Sequence, residues 1–132
     1  MVGYLSEEWR AEVERRFREG ITPADMNNLS SSLNCVSYKC PDEKTRYFYV
    51  SFIKGELERV LVGEGPGPQA EYIIEGKYEA LAQIARGELT AAEALIGGKI
   101  KLTGNLYKAL YLVPIVDRLN QIMVTIETEY QG

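Results

Sequence analysis

An alternating segment with glycines at both ends, residues 97–105 (GGKIKLTGN), constrains the fold more than any other stretch of this sequence. Ile100 and Leu102 alternate with polar residues, as in a strand with one covered face. The preceding glycine pair suits the end of a helix, where a left-handed conformation is common. Asn105 suits the N-cap of another helix. We therefore predict a strand between two helices, with Ile100 and Leu102 buried and the intervening lysines exposed.

The remaining periodic segments place most strands before that point. Aromatic and β-branched residues predict strands at 33–40, 45–54, 57–62 and 70–75. Periodicity and capping residues predict helices from Ser6 to Gly20, from Thr22-Pro23 onward, at 77–86 and from Thr90. Four strands, a group of helices and a fifth strand are typical of an α+β fold, with the helices on one face of the sheet.

The C-terminal segment, residues 113–132, is predicted to be amphipathic. Pro114 disfavours helix at the residue before it and suits the first turn of a new helix. Apolar residues beyond it recur three and four positions apart, which favours a helix, although the run MVTIET also permits a strand. The stripe comprises Leu112, Ile115, Val116, Leu119, Ile122, Met123, Ile126 and Tyr130. A stripe this wide needs covering, so it is either a lid on a cavity in this chain or the seam of a homodimer.

Length and charge bound the class of protein. A chain of 132 residues is expected to form one domain, and its formal net charge of -4 argues against a nucleic-acid partner. Charged residues begin at Glu7, and no stretch approaches the roughly twenty apolar residues of a membrane span, so a cytoplasmic location is predicted. Cys35 and Cys40 would point to opposite faces of a strand and remain free thiols in a reducing compartment.

Residues that carry common enzyme chemistry are missing. The sequence has no histidine, which rules out Ser/His and Cys/His catalytic pairs, and two cysteines fall short of the roughly four ligands of a structural zinc site. Isoleucine follows the lysine of GGKI, where a phosphate-binding loop requires serine or threonine. Carboxylate pairs such as Glu127/Glu129 lie on stretches typical of solvated faces. We therefore predict no enzyme activity, no catalytic residue, no metal and no cofactor.

Three motifs between residues 70 and 112 resemble the sterol carrier protein type 2 family. They are a strand entering a tyrosine-containing helix (YIIEGKYEAL), a helix–turn–helix (ARGELTAAEAL), and the strand and turn GGKIKLTGN, in the family's order and spacing. The segment LSEEW near the N-terminus is similar to small prokaryotic members. The strands within 33–62 match the family only in layout.

The resemblance implies a fold, a function and site residues. It implies a five-stranded, mostly antiparallel sheet with helices on one face, enclosing an apolar tunnel. Helices would occupy 1–32, strands 33–76, helices and the last strand 77–112, and the amphipathic segment 113–132. Such proteins bind and carry fatty acids, acyl-CoAs, sterols or phospholipids without catalysis. The residues expected to line the tunnel are Phe48, Val50, Phe52, Leu81, Ile84, Ala85, Leu95, Ile100, Leu102, Leu110, Leu119 and Met123.

A second hypothesis is an accessory or dimerisation module that has no ligand tunnel and works through a surface. Its motivation is the segment 47–53, which is apolar or aromatic on both faces. If its even-numbered residues face the helices, then Tyr47, Tyr49 and Ile53 would form an exposed patch of the kind that marks interfaces. The predicted partner is therefore a lipid or other apolar small molecule, with transient membrane contact allowed, or a second copy of the chain.

Overall fold

The computed structural model describes residues 2–130, apart from the side chains of Leu106, Leu110 and Tyr111. The elements, in chain order, are β1 (Val2–Gly3), α1 (Glu7–Gly20), β2 (Ser31–Tyr38), β3 (Arg46–Ile53), β4 (Glu56–Glu64), β5 (Tyr72–Lys77), α2 (Tyr78–Ala85), α3 (Ala91–Ile96), β6 (Ile100–Thr103), α4 (Leu106–Val124) and β7 (Thr128–Glu129). The strand between two helices at 100–103 is confirmed, as are the exposed lysines. Ile100 is buried and Leu102 is partly buried.

Five strands form one sheet in the order β4-β3-β2-β5-β6. Only β2 and β5 pair in parallel, and the other three pairings are antiparallel. This confirms the predicted α+β class with a mostly antiparallel sheet. The registers align Val62, Phe48, Cys35, Ile74 and Leu102 in one apolar row that crosses all five strands. The helices cover the face that carries this row.

Local capping explains where three helices begin. The Ser6 hydroxyl accepts a hydrogen bond from the Trp9 amide at the start of α1. Thr90 and Glu93 form a capping box at α3, and the Asn105 side chain accepts from two amides of the first turn of α4. All three caps were predicted. Each cap uses only residues within three positions of the helix start, so the start can be read from the local sequence.

The helix predicted after Thr22 is wrong. Residues 23–28 form turns, although Thr22 and Asp25 exchange the two hydrogen bonds expected at a helix start. Asn27 and Asn28 have φ angles of 51° and 54°, in the left-handed region that asparagine tolerates. Two such residues in succession stop the helix before it completes a second turn.

The break predicted at Pro114 is also wrong, because α4 runs through it from Leu106 to Val124. Proline removes one hydrogen bond from a helix and costs about 3 kcal/mol. Ile115 and Leu119 are buried on the opposite side of α4, and their burial offsets that cost. Pro114 itself is exposed, where water can reach the unpaired carbonyl.

The chain beyond α4 does not continue the predicted amphipathic helix. The helix ends at Val124, and β7 pairs in parallel with β1, so the strand alternative applies to residues 128–129. Tyr130 packs on Tyr4, with ring centroids 4.9 Å apart. The last two residues of the predicted segment lie outside the described part of the chain.

The second cysteine lies outside the strand predicted for it. Strand β2 covers Ser31–Tyr38 rather than 33–40, so Cys40 belongs to the following turn, and the argument from opposite strand faces does not apply to it. Both cysteines are free thiols, which agrees with the predicted outcome for a different reason.

The predicted exposed aromatic patch is wrong. Tyr49 is only 4% exposed, Tyr47 is partly buried, and Ile53 alone of the three residues is exposed. The loop between β4 and β5 folds over this face, where the Asn34 amide donates to the carbonyl oxygens of Pro66 and Pro68. At Gly67 a Cβ atom would come within 2.5 Å of the Tyr47 ring, so only glycine allows this close approach. The accessory-module hypothesis loses the feature that motivated it.

Candidate functional site

A cavity of about 160 Å³ lies between α4 and the apolar row of the sheet. Strands β2, β3, β5 and β6 form its floor, and α3 and α4 form its walls. Its lining comprises Ser31, Ser32, Leu33, Val50, Phe52, Tyr72, Ile74, Ala91, Ala92, Leu95, Ile100, Leu102, Ala109, Leu112, Val113, Ile115, Val116, Asp117 and Leu119. Leu95, Val113 and Asp117 are exposed. The cavity therefore opens to the surface between α3 and α4.

A smaller cavity of about 50 Å³ lies deeper, towards α1 and α2. Trp9 and Phe48 form part of its wall and stack edge to face, with ring centroids 5.0 Å apart. The two cavities share seven lining residues: Leu33, Val50, Ile74, Ala91, Ile100, Val116 and Leu119. The two cavities are therefore neighbours that share part of one wall.

Eleven of the twelve predicted site residues lie around these cavities. Those at the larger cavity are Val50, Phe52, Leu95, Ile100, Leu102 and Leu119. Those at the smaller cavity are Phe48, Leu81, Ile84, Ala85 and Met123, together with Val50, Ile100 and Leu119 again. The side chain of Leu110 lies outside the described residues. Leu95 is 43% exposed, which places it at the opening rather than in the interior.

Other lining residues were not among the twelve. Leu33 and Ile74 belong to the floor, and strand alternation within β2 and β5 was the signal that could have found them. Val116 was recognised as part of the C-terminal stripe but was not assigned to the tunnel. Tyr4 and Trp9 could not be assigned, because nothing local shows that the N-terminal segment packs at the inner end of the smaller cavity.

A polar network fastens the rim of the larger cavity. Ser31 donates to the Glu71 carboxylate at 2.7 Å, and the Ser32 hydroxyl accepts from the Glu71 amide at 2.8 Å. Lys108 of α4 donates to both carboxylate oxygens of Glu71. Burial alone would raise the pKa of Glu71, but the hydrogen bonds from Ser31 and Lys108 outweigh it and lower that pKa. Glu71 therefore stays ionised and links α4 to the sheet.

The cysteine in the lining of the smaller cavity is a weak candidate for a nucleophile. Cys35 contributes to the smaller cavity, and burial raises the pKa of its thiol to about 12. A thiol with so high a pKa stays protonated at neutral pH and is a poor nucleophile. Over the described part of the chain, no group of three or more histidine, cysteine, aspartate or glutamate residues could hold a metal ion. No helix there is long and apolar enough to cross a membrane.

The comparisons agree with this geometry. The sequence profile of the SCP-2 sterol transfer family matches residues 14–117. The chain belongs to this family. A search of curated proteins finds no match to the sequence.

Solved structures with the same fold include members of the SCP-2 family. A crystal structure of sterol carrier protein 2 is 18% identical over 93% of this chain and 98% of its own, with a TM-score of 0.80. A protein of Thermus thermophilus, described as possibly a sterol carrier protein, is 18% identical over 98% of this chain and 93% of its own, with a TM-score of 0.76. Palmitated SCP2L2 of Aedes aegypti is 18% identical over 85% of this chain and 90% of its own, with a TM-score of 0.54. At these identities the likeness shows the fold alone.

Proposed function

We propose that this chain is a non-catalytic carrier that holds a lipid or other apolar ligand between the sheet and α4. Membership of the SCP-2 sterol transfer family supports lipid binding or transfer in general. The observation that carries the proposal is the larger cavity, because polar side chains occur only at Ser31, Ser32, Tyr72 and Asp117 of its lining. The ligand class is a fatty acid, an acyl-CoA, a sterol-like lipid or a phospholipid.

The energetics favour an acyl chain in such a space. Burial of a methylene group contributes about 0.8 kcal/mol, so a sixteen-carbon tail gains about 12 kcal/mol before other terms. Association opposes this by at least about 4 kcal/mol, and micromolar affinity requires about 8 kcal/mol. Micromolar affinity is therefore the upper limit that burial of the tail reaches without a specific polar contact.

The cavity must enlarge to accept such a tail. A space of about 160 Å³ is close to the size that holds one benzene molecule. We assign the enlargement to the N-terminal half of α4, which acts as a lid. Its described attachments to the sheet are Lys108 with Glu71 and the Asn105 carbonyl with the Tyr72 hydroxyl. Pro114 follows this half, and its missing hydrogen bond lets a helix bend there.

For the stripe predicted in the C-terminal segment, burial of the C-terminal half of α4 favours covering within this chain rather than a dimer seam, and it leaves the N-terminal half as the part that moves. Ile115, Leu119, Ile122 and Met123 are each at most 8% exposed, and they belong to the core cluster that includes α1 and β3. Their stripe is covered within one chain and leaves little apolar surface for a second copy. We propose a cytoplasmic setting, since Cys35 and Cys40 are free thiols of the kind that a reducing compartment maintains.

Native mass spectrometry of the purified protein, followed by displacement of a fluorescent fatty acid, tests the proposal. We expect a co-purifying lipid mass and saturable displacement by palmitate, hexadecanol or cholesterol. Folded protein that takes up none of these ligands saturably would show that the cavity is only a packing defect, and the carrier function would be rejected.

A further inference from the structure

Exposed apolar side chains lie at the opening of the larger cavity and on the two helices, α3 and α4, that form its walls. Within the part of the chain that the structure describes, seven large apolar side chains are exposed, and four of them lie between residues 95 and 113. Leu95 and Val113 line the opening itself. Ile96 and Tyr107 are 87% and 86% exposed. We call these four residues the docking face. Such a concentration on two neighbouring elements is typical of an interaction site.

The same segment has a charge opposite to that of the whole chain. Residues 94–116 contain three lysines and no acidic residue, with Glu93 and Asp117 directly flanking them, whereas the chain has a net charge of -4. Asp117 lies at the same opening, so the positive charge is confined to the part of the face around Lys99 and Lys101. Lys99 and Lys101 are exposed, and neither forms an ion pair with another described residue. Lys108 is already paired with Glu71. Lys101 lies opposite the acidic Glu75 in the sheet, although Glu75 accepts a hydrogen bond from Tyr38. Of the three lysines, Lys99 is therefore the one whose charge has neither an ion-pair partner among the described residues nor an acidic residue opposite it in the sheet.

We propose that the docking face contacts an anionic lipid bilayer, with Lys99 and Lys101 beside the headgroups. Exposed apolar side chains flanked by lysines match the apolar and charged layers of such a surface, and tyrosine favours the boundary between them. Acidic residues elsewhere oppose other orientations of the chain on the bilayer. The inference rests on the carrier function, because a bilayer at the opening lets an acyl chain enter the cavity without crossing water.

A second copy of the chain fits this face less well. A two-fold dimer would bring the same surface of both subunits together. The lysines of one copy would then face those of the other, and like charges oppose association. An anionic bilayer instead complements them.

Flotation with lipid vesicles tests the inference. The wild-type chain should bind vesicles of phosphatidylcholine mixed with phosphatidylglycerol, bind phosphatidylcholine alone much more weakly, and detach as salt is raised. Each lysine near an anionic surface strengthens partitioning about fivefold, so Lys99→Glu should weaken it about tenfold or more. Ile96→Ser should weaken it several-fold by removing an inserted side chain.

The β3–β4 turn at the opposite edge of the sheet provides matched controls. Ile53 is 48% exposed and is followed by the exposed Lys54. Ile53→Ser and Lys54→Glu make the same chemical changes outside both cavities and at the sheet edge away from β6, so they should leave partitioning unchanged. The inference would be overturned if the control variants lost as much vesicle binding as Ile96→Ser and Lys99→Glu. It would likewise be overturned if the wild type did not bind anionic vesicles. It would also be overturned if Ile96→Ser converted a dimer to a monomer in light scattering, because the occupant would then be a second copy.

Uptake of dispersed ligand separates this inference from the carrier function. Ile96 and Lys99 do not line either cavity, so their variants should displace fluorescent fatty acid as the wild type does. Normal uptake without wild-type vesicle binding rejects the docking face and keeps the carrier. If the wild type binds vesicles but takes up no fatty acid, the carrier function is rejected. Docking to deliver an acyl chain into the cavity is then rejected as well.

Discussion

Lys108 of α4 donates hydrogen bonds to both carboxylate oxygens of Glu71 in the segment before β5, at 2.9 and 3.0 Å. Each side chain is about one-third exposed. Through Ser31 and Ser32, the same glutamate is tied to the rim of the larger cavity. This ion pair is therefore a latch between the proposed lid and the sheet.

The first prediction is that opening this latch speeds ligand exchange while changing stability little. Lys108→Met removes the ion pair and keeps most of the apolar stem. A partly exposed pair contributes at most about 1 kcal/mol, so unfolding in urea should shift only slightly. Ligand release in stopped-flow displacement should become several-fold faster, and added salt should speed the wild type more than the variant.

A matched ion pair serves as the control for the latch. Lys44 and Glu64 form an exposed ion pair at 3.0 Å that lies outside both cavities. Lys44→Met should leave the release rate unchanged. Equal acceleration in both variants would mean that a general loss of stability, rather than the latch, controls release.

Much of the local structure could be predicted because short-range chemistry decides it. Ser6, Thr90 and Asn105 cap helices through bonds to residues two or three positions away. The alternation at 99–103 likewise needs only one covered face. Pro114 misled the prediction because burial of Ile115 and Leu119 depends on distant parts of the chain.

The site was harder to predict than the fold. An apolar residue that fills a core and one that lines a cavity leave the same pattern in a sequence. Family resemblance favoured the cavity, but its floor depends on the parallel pairing of β2 with β5, which no local pattern shows. The buried aromatic face depends on Gly67 lying against Tyr47, a contact between distant segments.

The second prediction concerns the wall shared by the two cavities. Val116→Trp places an indole where Val116 lines both of them, so the affinity for a sixteen-carbon ligand should fall at least about tenfold, equivalent to about 1.4 kcal/mol. Val124→Trp is the control, because Val124 lies in the same helix, is 45% exposed and lines neither cavity. If both variants bind normally by calorimetry, the ligand lies elsewhere.

The third prediction concerns the ligand headgroup. Asp117 is exposed at the opening and has no ion pair with another described residue. The basic residues of the same helix contact other groups, since Lys108 pairs with Glu71 and Arg118 donates to the Gly20 carbonyl. Two charges about 4 Å apart in water interact by about 1 kcal/mol. Hexadecylamine and hexadecanol should therefore bind several-fold more tightly than palmitate at low salt.

Replacement of that carboxylate tests the cause of the preference. Asp117→Asn should strengthen palmitate binding, weaken hexadecylamine binding and leave hexadecanol unchanged in the displacement assay. Glu127→Asn is a control of similar charge change, since Glu127 is exposed and lines neither cavity. Identical shifts in the two variants would assign the preference to net charge rather than to the opening.

The last prediction uses Cys35 as a reporter of the smaller cavity. Burial raises the pKa of its thiol from 9.0 to about 12, so its thiolate fraction at about pH 8 should fall roughly a thousandfold. In a Cys40→Ser background, iodoacetamide should therefore alkylate the folded protein at least about 100-fold more slowly than the protein in guanidinium. The folded-state pKa is raised, so this thiol favours the fold below about pH 9, and that contribution is lost as the pH rises towards 12.

Saturating hexadecanol should slow alkylation of Cys35 further if the tail reaches the smaller cavity. Ligand binding that leaves the alkylation rate unchanged would confine the tail to the larger cavity, and fast alkylation of the folded protein would contradict the burial of Cys35.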